Sequence, residues 1–163
     1  MFRIGMGQDS HRFAADPARP LLLGGVRVAD ARGLDGNSDA DVVLHALCRA
    51  LEQALGEDAF SRYADALCAQ GVADSREYVK VARSRVEAAG WRVNNVGLTI
   101  EARTPKIEPL RVAMKQSVAT LVGIAPDAVG INATSGEGMT PFGKGEGIQA
   151  FAIVSLVSTL DPD

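Results

Sequence analysis

The chain has 163 residues, of which 47% are hydrophobic, with 17 Lys and Arg against 20 Asp and Glu, giving a net charge of −3. That length suits one domain that buries roughly 70% of its unfolded surface, and the composition excludes a disordered chain. The acidic balance argues against a broad nucleic-acid-binding surface, although it leaves room for a local cationic pocket. Two cysteines, Cys48 and Cys68, make no disulfide framework and read as packing residues of a reduced, cytoplasmic protein. Arg3, Asp9 and Arg12 interrupt any signal-like N-terminal run, and no stretch is clean enough to span a bilayer.

Phe2 to Gly7 reads as a first strand. Pro20 to Val28 contains Leu-Leu-Leu-Gly-Gly-Val and reads as a strand that bends or enters a hairpin. Ser38 is expected to cap the first helix, with Asp41 answering three residues on. At about 100° per residue, Val43, Leu47, Ala50, Leu51 and Ala54 gather on one side of it. Asp41, His45, Arg49 and Glu52 gather on another, so His45 is expected off the main core face. Residues 56–73 are rich in Gly and Ala, poorly periodic, and read as an irregular loop. Asp74 or Ser75 caps a second helix to about Ala89, striped by Tyr78, Val79, Ala82 and Val86 and stopped by Gly90. Trp91 to Ala102 follows as a strand with an irregularity at Asn94-Asn95. Pro109 suits the first turn of a third helix, Leu110 to Val122. Val129 to Ala133 is a short strand, and Gly147 to Leu160 a long final one. The order predicts an α+β protein, a mixed β-sheet layered against helices on one face, as a single domain over residues 1–163.

Only two histidines occur, and both stand near carboxylates. Asp9 and His11 are two apart at a strand end, so they share a side. Alone, such a pair suits a plain surface contact as well as a metal. His45 adds a third donor from a helix, and Asp39 or Asp41 can support a ligating imidazole from behind. The two acids also suit a helix N-terminus on charge grounds alone. Ala133-Thr-Ser-Gly-Glu-Gly138 and Phe142-Gly-Lys-Gly-Glu-Gly147 supply hydroxyls, glycines and a lysine, which suit either a phosphate cradle or ordinary turns. They lack the P-loop spacing. Ala102-Arg-Thr-Pro-Lys-Ile107 offers backbone groups and Lys106 to a ligand, or a solvated charge on a proline-fixed turn.

Taken in order, Ile4-Gly-x-Gly-x-Asp-x-His11, Leu23-Gly-Gly-Val26, Ser38-Asp-Ala-Asp-Val-x-Leu-His45, Ala73-Asp-Ser75, Pro105-Lys106 and Gly143-Lys-Gly-Glu-Gly-Ile148 resemble the 2-C-methyl-D-erythritol 2,4-cyclodiphosphate synthase family of the non-mevalonate isoprenoid pathway. The resemblance implies a homotrimer with active sites between subunits, acting on 4-diphosphocytidyl-2-C-methyl-D-erythritol 2-phosphate and releasing CMP. It implies zinc on Asp9, His11 and His45, with an open fourth position, and magnesium or manganese accompanying the diphosphate near Glu137. Catalytic positions would be Asn37 and Ser135. Substrate contacts would come from Ser38, Glu57, Asp65, Ala102, Thr104, Pro105, Lys106, Ile107, Thr134, Phe142 and Lys144. An isoprenoid diphosphate would fit a central cavity of the trimer. The chain departs from the family pattern at Asn37, where histidine is usual, in the loop around Glu57 and Asp65, and at Lys144, where arginine is usual. Asn37 and the altered loop motivate an alternative: a non-catalytic trimeric module that binds a cytidine nucleotide or an isoprenoid diphosphate. A purely structural metal trimer is a third reading.

Overall fold

Alternating burial along the strands divides the protein into a helix-covered layer and a bare sheet face. The structure, a computed structural model, describes residues 1–159. In chain order the elements are β1 (Phe2–Arg12), β2 (Leu21–Leu23), β3 (Val26–Val28), α1 (Val42–Leu55), α2 (Phe60–Ala69), α3 (Ser75–Ala88), β4 (Trp91–Glu101), α4 (Arg111–Val122), β5 (Val129–Thr134), the single turn α5 (Pro141–Lys144) and β6 (Gly147–Ser158). The expected end of the last strand, Leu160, lies outside the described residues.

Four strands form a mixed sheet in the order β1-β6-β4-β5, in which β6 runs antiparallel to both neighbours and β4 parallel to β5. The parallel pair is joined through α4, as a crossover requires. β2 and β3 form a separate hairpin. On β6, Ile148, Ala150, Ala152, Val154 and Leu156 are buried beneath the helices. Phe151 and Ile153 alternate with them and join Phe2, Ile4 and Met6 of β1 on an exposed apolar face. The irregularity expected at Asn94-Asn95 is a register shift between Val93 and Asn95.

α1 lies against β1 at backbone distance. A Cβ on Gly5 would stand 2.1 Å from the Ala50 carbonyl oxygen, and one on Gly7 2.1 Å from that of Ala46. Glycine at these two positions therefore lets the helix settle onto the strand. Asp9 and His11 continue the same helix-facing side of β1, so the close approach also brings them beneath the first turn of α1.

Several expectations change. Asp41, not Ser38, caps α1: its carboxylate accepts from the Val43 and Leu44 amides at 3.1 Å each. It also accepts from Gly24 and Gly25 at 2.9 and 2.6 Å, which ties the hairpin to the helix. On the polar side of α1, His45 faces a site rather than the apolar core, as expected, although Asp41, His45 and Glu52 are all buried. The stretch read as an irregular loop contains α2, whose Phe60 and Ala64 recur at helical spacing and are buried. The glycine-rich run near the C-terminus holds a helical turn, capped by the Thr140 hydroxyl accepting from the Gly143 amide at 3.0 Å. Among the described residues, no helix is long and apolar enough to cross a membrane.

Candidate functional site

Asp9 and His11 from β1 meet His45 from the first turn of α1. Asp9 Oδ2 lies 3.0 Å from His11 Nε2 and 3.0 Å from His45 Nδ1. One ligand atom from each residue falls within 4.8 Å of the others, and this is the one such group of three or more His, Cys, Asp or Glu among the described residues. His11 Nε2 is shielded from solvent yet makes no properly directed hydrogen bond, despite its closeness to Asp9. Lone pairs aimed at a common space rather than at each other fit a bound cation. Two imidazoles and a carboxylate suit a zinc-like ion with a remaining open position.

The far side of His45 fixes which nitrogen faces that space. His45 Nε2 lies 2.9 Å from Ser75 Oγ and 3.3 Å from Ser38 Oγ. The Ser75 hydroxyl donates to Asp39 Oδ1, and the Ser75 amide donates to Asp39 Oδ2 at 2.9 Å. With its one proton given to Asp39, Ser75 accepts from His45 Nε2–H, which leaves Nδ1 unprotonated toward Asp9 and His11. Of the two acids expected to support a ligating imidazole, Asp39 does so through Ser75, whereas Asp41 serves the backbone.

Charge follows from this geometry. Burial would push the Asp9 carboxyl up, but in the metal-free protein the adjacent His11 and His45 outweigh it and hold Asp9 well below the usual carboxylate range. Asp9 pushes His11 above the usual histidine range against the opposing effect of burial, and Asp35 adds to the rise.

A cavity of about 180 Å³ opens beside the three donors, lined also by Asn37 and Ser38 from the turn before α1, Arg49 from α1, and Asp65 from α2. The turn is held by Arg19, which donates to the carbonyls of Gly36, at 2.9 Å, and Ser38. Phe60 packs on the His45 ring with centroids 5.2 Å apart, and Tyr78 does so at 6.1 Å. Cys68, read from the sequence as packing, also lines this cavity, and its Sγ lies 3.1 Å from the Asn37 carbonyl oxygen. Cys48 is buried, as expected. Glu57 stands elsewhere: its carboxylate pairs with Arg85, and it does not line the cavity.

The remaining expected residues form a second cluster, at the end of β4 and β5. The Ala102 amide donates to the Thr134 carbonyl at 3.0 Å, and the Arg103 amide to that of Phe142 at 3.2 Å. This joins the 102–107 loop to the 134–145 segment. Thr104, Lys106, Thr134, Ser135, Glu137 and Lys144 are exposed there, Pro105 is half-buried, and Ile107 is buried in the core. Within one chain, none of these residues lines the cavity beside the three donors. The two clusters nevertheless share one end of the sheet, where His11 and Phe142 line a common depression.

The sequence offers Ser75 as a helix cap and within the Ala73-Asp-Ser75 segment, and it assigns no site role to Phe60, Cys68 or Arg49. Arg49 carried a signal, since it follows His45 by four residues and so shares its helix face.

The architecture and the three converging donors define an α+β protein built around a metal-ligand cradle. The chain belongs to the YgbB family, whose model matches residues 2–157. A relative from Alkalilimnicola ehrlichii, named 2-C-methyl-D-erythritol 2,4-cyclodiphosphate synthase, is 44% identical over 96% of this chain and 95% of its own length. One of the same name from Chlamydia muridarum is 38% identical over 96% of this chain and 89% of its own. A solved 2C-methyl-D-erythritol-2,4-cyclodiphosphate synthase in a CDP-bound form superposes with a TM-score of 0.84 at 31% identity, over 95% of this chain and all of that one.

Proposed function

We propose that this protein is a lyase that converts 4-diphosphocytidyl-2-C-methyl-D-erythritol 2-phosphate into 2-C-methyl-D-erythritol 2,4-cyclodiphosphate and CMP, in non-mevalonate isoprenoid synthesis. The observation that carries the reading is the convergence of Asp9, His11 and His45 beside a cavity, in a chain of this family. In the reaction, an oxygen of the 2-phosphate bonds to the β-phosphorus. The bond from that phosphorus to the α–β bridging oxygen breaks, and the oxygen leaves with CMP. Such a transfer needs positioning and charge neutralisation more than a protein nucleophile.

Asp9, His11 and His45 would hold zinc, which supplies Lewis-acid polarisation of a phosphoryl oxygen when bound. The Ser38 hydroxyl and Asn37 amide act as neutral hydrogen-bond donors to phosphate. Asp65 receives a sugar or polyol hydroxyl. Backbone groups of Ala102, Thr104, Pro105 and Ile107 recognise cytosine, with Lys106 on the phosphates. Thr134 and Ser135 contribute hydroxyls, Glu137 serves the magnesium or manganese that accompanies the diphosphate, and Phe142 and Lys144 flank it. Because no residue of the second cluster lines the cavity beside the three donors within one chain, we assign the complete site to neighbouring subunits of a homotrimer. The exposed apolar face of Phe2, Ile4, Met6, Phe151 and Ile153 supports such an assembly, since a bare patch of this kind favours coverage. An isoprenoid diphosphate is the proposed occupant of a cavity among the subunits. The two free thiols suit a reducing cytoplasm.

The test is CMP release by purified protein with zinc and magnesium at saturating substrate, together with sedimentation of the wild type and Ile153→Glu. The reading expects release, a trimer, and smaller species for the variant. Asn37 has no charge to lend a transition state, so binding without chemistry is the competing reading. Tight CMP binding with no turnover would favour that alternative module.

A further inference from the structure

Arg49 follows His45 by one turn of α1 and shares its helix face. Its guanidinium carbon lies 4.8 Å from the centre of the Phe60 ring, and its Nε stands 3.9 Å from Asp9 Oδ1. That separation makes a long ion pair with Asp9, beyond hydrogen-bond length. Nε is shielded from solvent, and the Arg49 side chain donates no hydrogen bond among the described residues. Asp9 is meanwhile engaged by both histidines through its other oxygen. Arg49 is also the one Lys or Arg that lines the cavity beside the three donors. The neighbouring polar groups, Asn37 and Ser38, are neutral.

A guanidinium resting on an aromatic face keeps its planar fork of donors free for a ligand. Here Arg49 lines a cavity that already offers an amide, a hydroxyl and a cation cradle, with Asp65 as its further acid. That combination selects an oxyanion with several oxygens, as phosphate offers. We propose that Arg49 is a specificity-determining residue that grips a phosphate oxygen of the bound nucleotide diphosphate, providing the fixed positive charge that Asn37 does not. The identity of the diphosphate rests on the function proposed above, whereas the anion site itself requires only this cavity. A purely structural Arg49 would brace Phe60 or steady Asp9 without touching a ligand, and the two roles differ in what its loss changes.

Zinc-loaded wild type, Arg49→Gln and Arg49→Lys are titrated with CDP and, as an uncharged control, with cytidine, while zinc content and melting temperature are recorded. Arg49→Gln is expected to weaken CDP binding about tenfold to a hundredfold, the loss of a charge-assisted contact. Cytidine affinity and zinc content should stay level, and Arg49→Lys should restore part of the loss. Unchanged CDP affinity in Arg49→Gln overturns the proposal. So does loss of zinc or an equal loss of cytidine binding, because either assigns Arg49 to support of Asp9 or Phe60. Should Arg49→Gln fail to fold, Arg49→Lys decides: weaker CDP binding with cytidine binding intact supports the contact, and unaltered binding of both opposes it. CMP release is assayed separately. CDP binding that depends on Arg49 without any CMP release would leave the anion site standing and remove only the reaction.

Discussion

Ser75 stands behind His45, with its hydroxyl oxygen 2.9 Å from Nε2, and donates its own hydrogen bond to Asp39. This contact orients the imbedded ring and selects the nitrogen offered to a cation. Ser75→Ala removes the acceptor and frees the ring to change tautomer. We expect zinc affinity to fall about 10- to 100-fold, measured by competition against a chelator, with little change in circular dichroism. Unchanged zinc affinity would show that packing against Phe60 and Tyr78 alone holds the ring.

His45→Ala should abolish zinc binding and CMP release together. The fold should also feel the change, because His45 is only 7% exposed and is packed between Asp9, Phe60 and Tyr78. A stability loss of about 1–3 kcal/mol is expected even in metal-free protein. Chemical denaturation of metal-free wild type and variant checks it.

Asp9 and His11 have opposite pH signatures. The folded pKa of Asp9 is depressed, so its stabilisation is present above the ordinary 3.8 and is lost as pH falls through the lower folded value. The folded pKa of His11 is raised, so in metal-free protein its contribution is full below the ordinary 6.5 and is lost as pH rises through the raised value. Metal binding runs the other way, since a ligating imidazole must be neutral. As pH rises from 6.5 through the raised folded value of His11, the stabilisation conferred by zinc should therefore grow while this contribution to metal-free stability declines. Melting curves with and without zinc test this, and a zinc-induced shift independent of pH would contradict it.

Gly7→Ala should destabilise the protein by about 1–3 kcal/mol, because the new methyl would meet the Ala46 carbonyl oxygen and push α1 off β1. His45 rides on that helix, so zinc affinity should fall as well. Urea midpoints and zinc titration on the same variant check both halves. A stable variant with weakened zinc binding would mean that the helix shifts without loss of packing.

By itself the sequence determined the periodic parts of this protein: β4, α3, α4, β5 and the described length of β6, the turn before α4, and the three residue types able to hold a cation. These were legible because alternation, helical spacing and capping are local, and because a scarce residue such as histidine stands out. The irregularity in β4 was legible for the same reason. Only tertiary structure decided the rest. α2 was hidden because its short Ala-rich sequence has little intrinsic pattern and gains its stability by packing Phe60 against His45 and Tyr78. Asp41 won the capping position from Ser38 because it also satisfies the hairpin amides of Gly24 and Gly25, a demand from a distant segment. His45 meets Asp9 and His11 because glycines at 5 and 7 let β1 approach the helix to backbone contact. That approach turns two histidines and a carboxylate, 36 residues apart at the extremes, into one cradle. It also places Arg49 beside them, with a charge whose purpose no spacing in the chain could disclose.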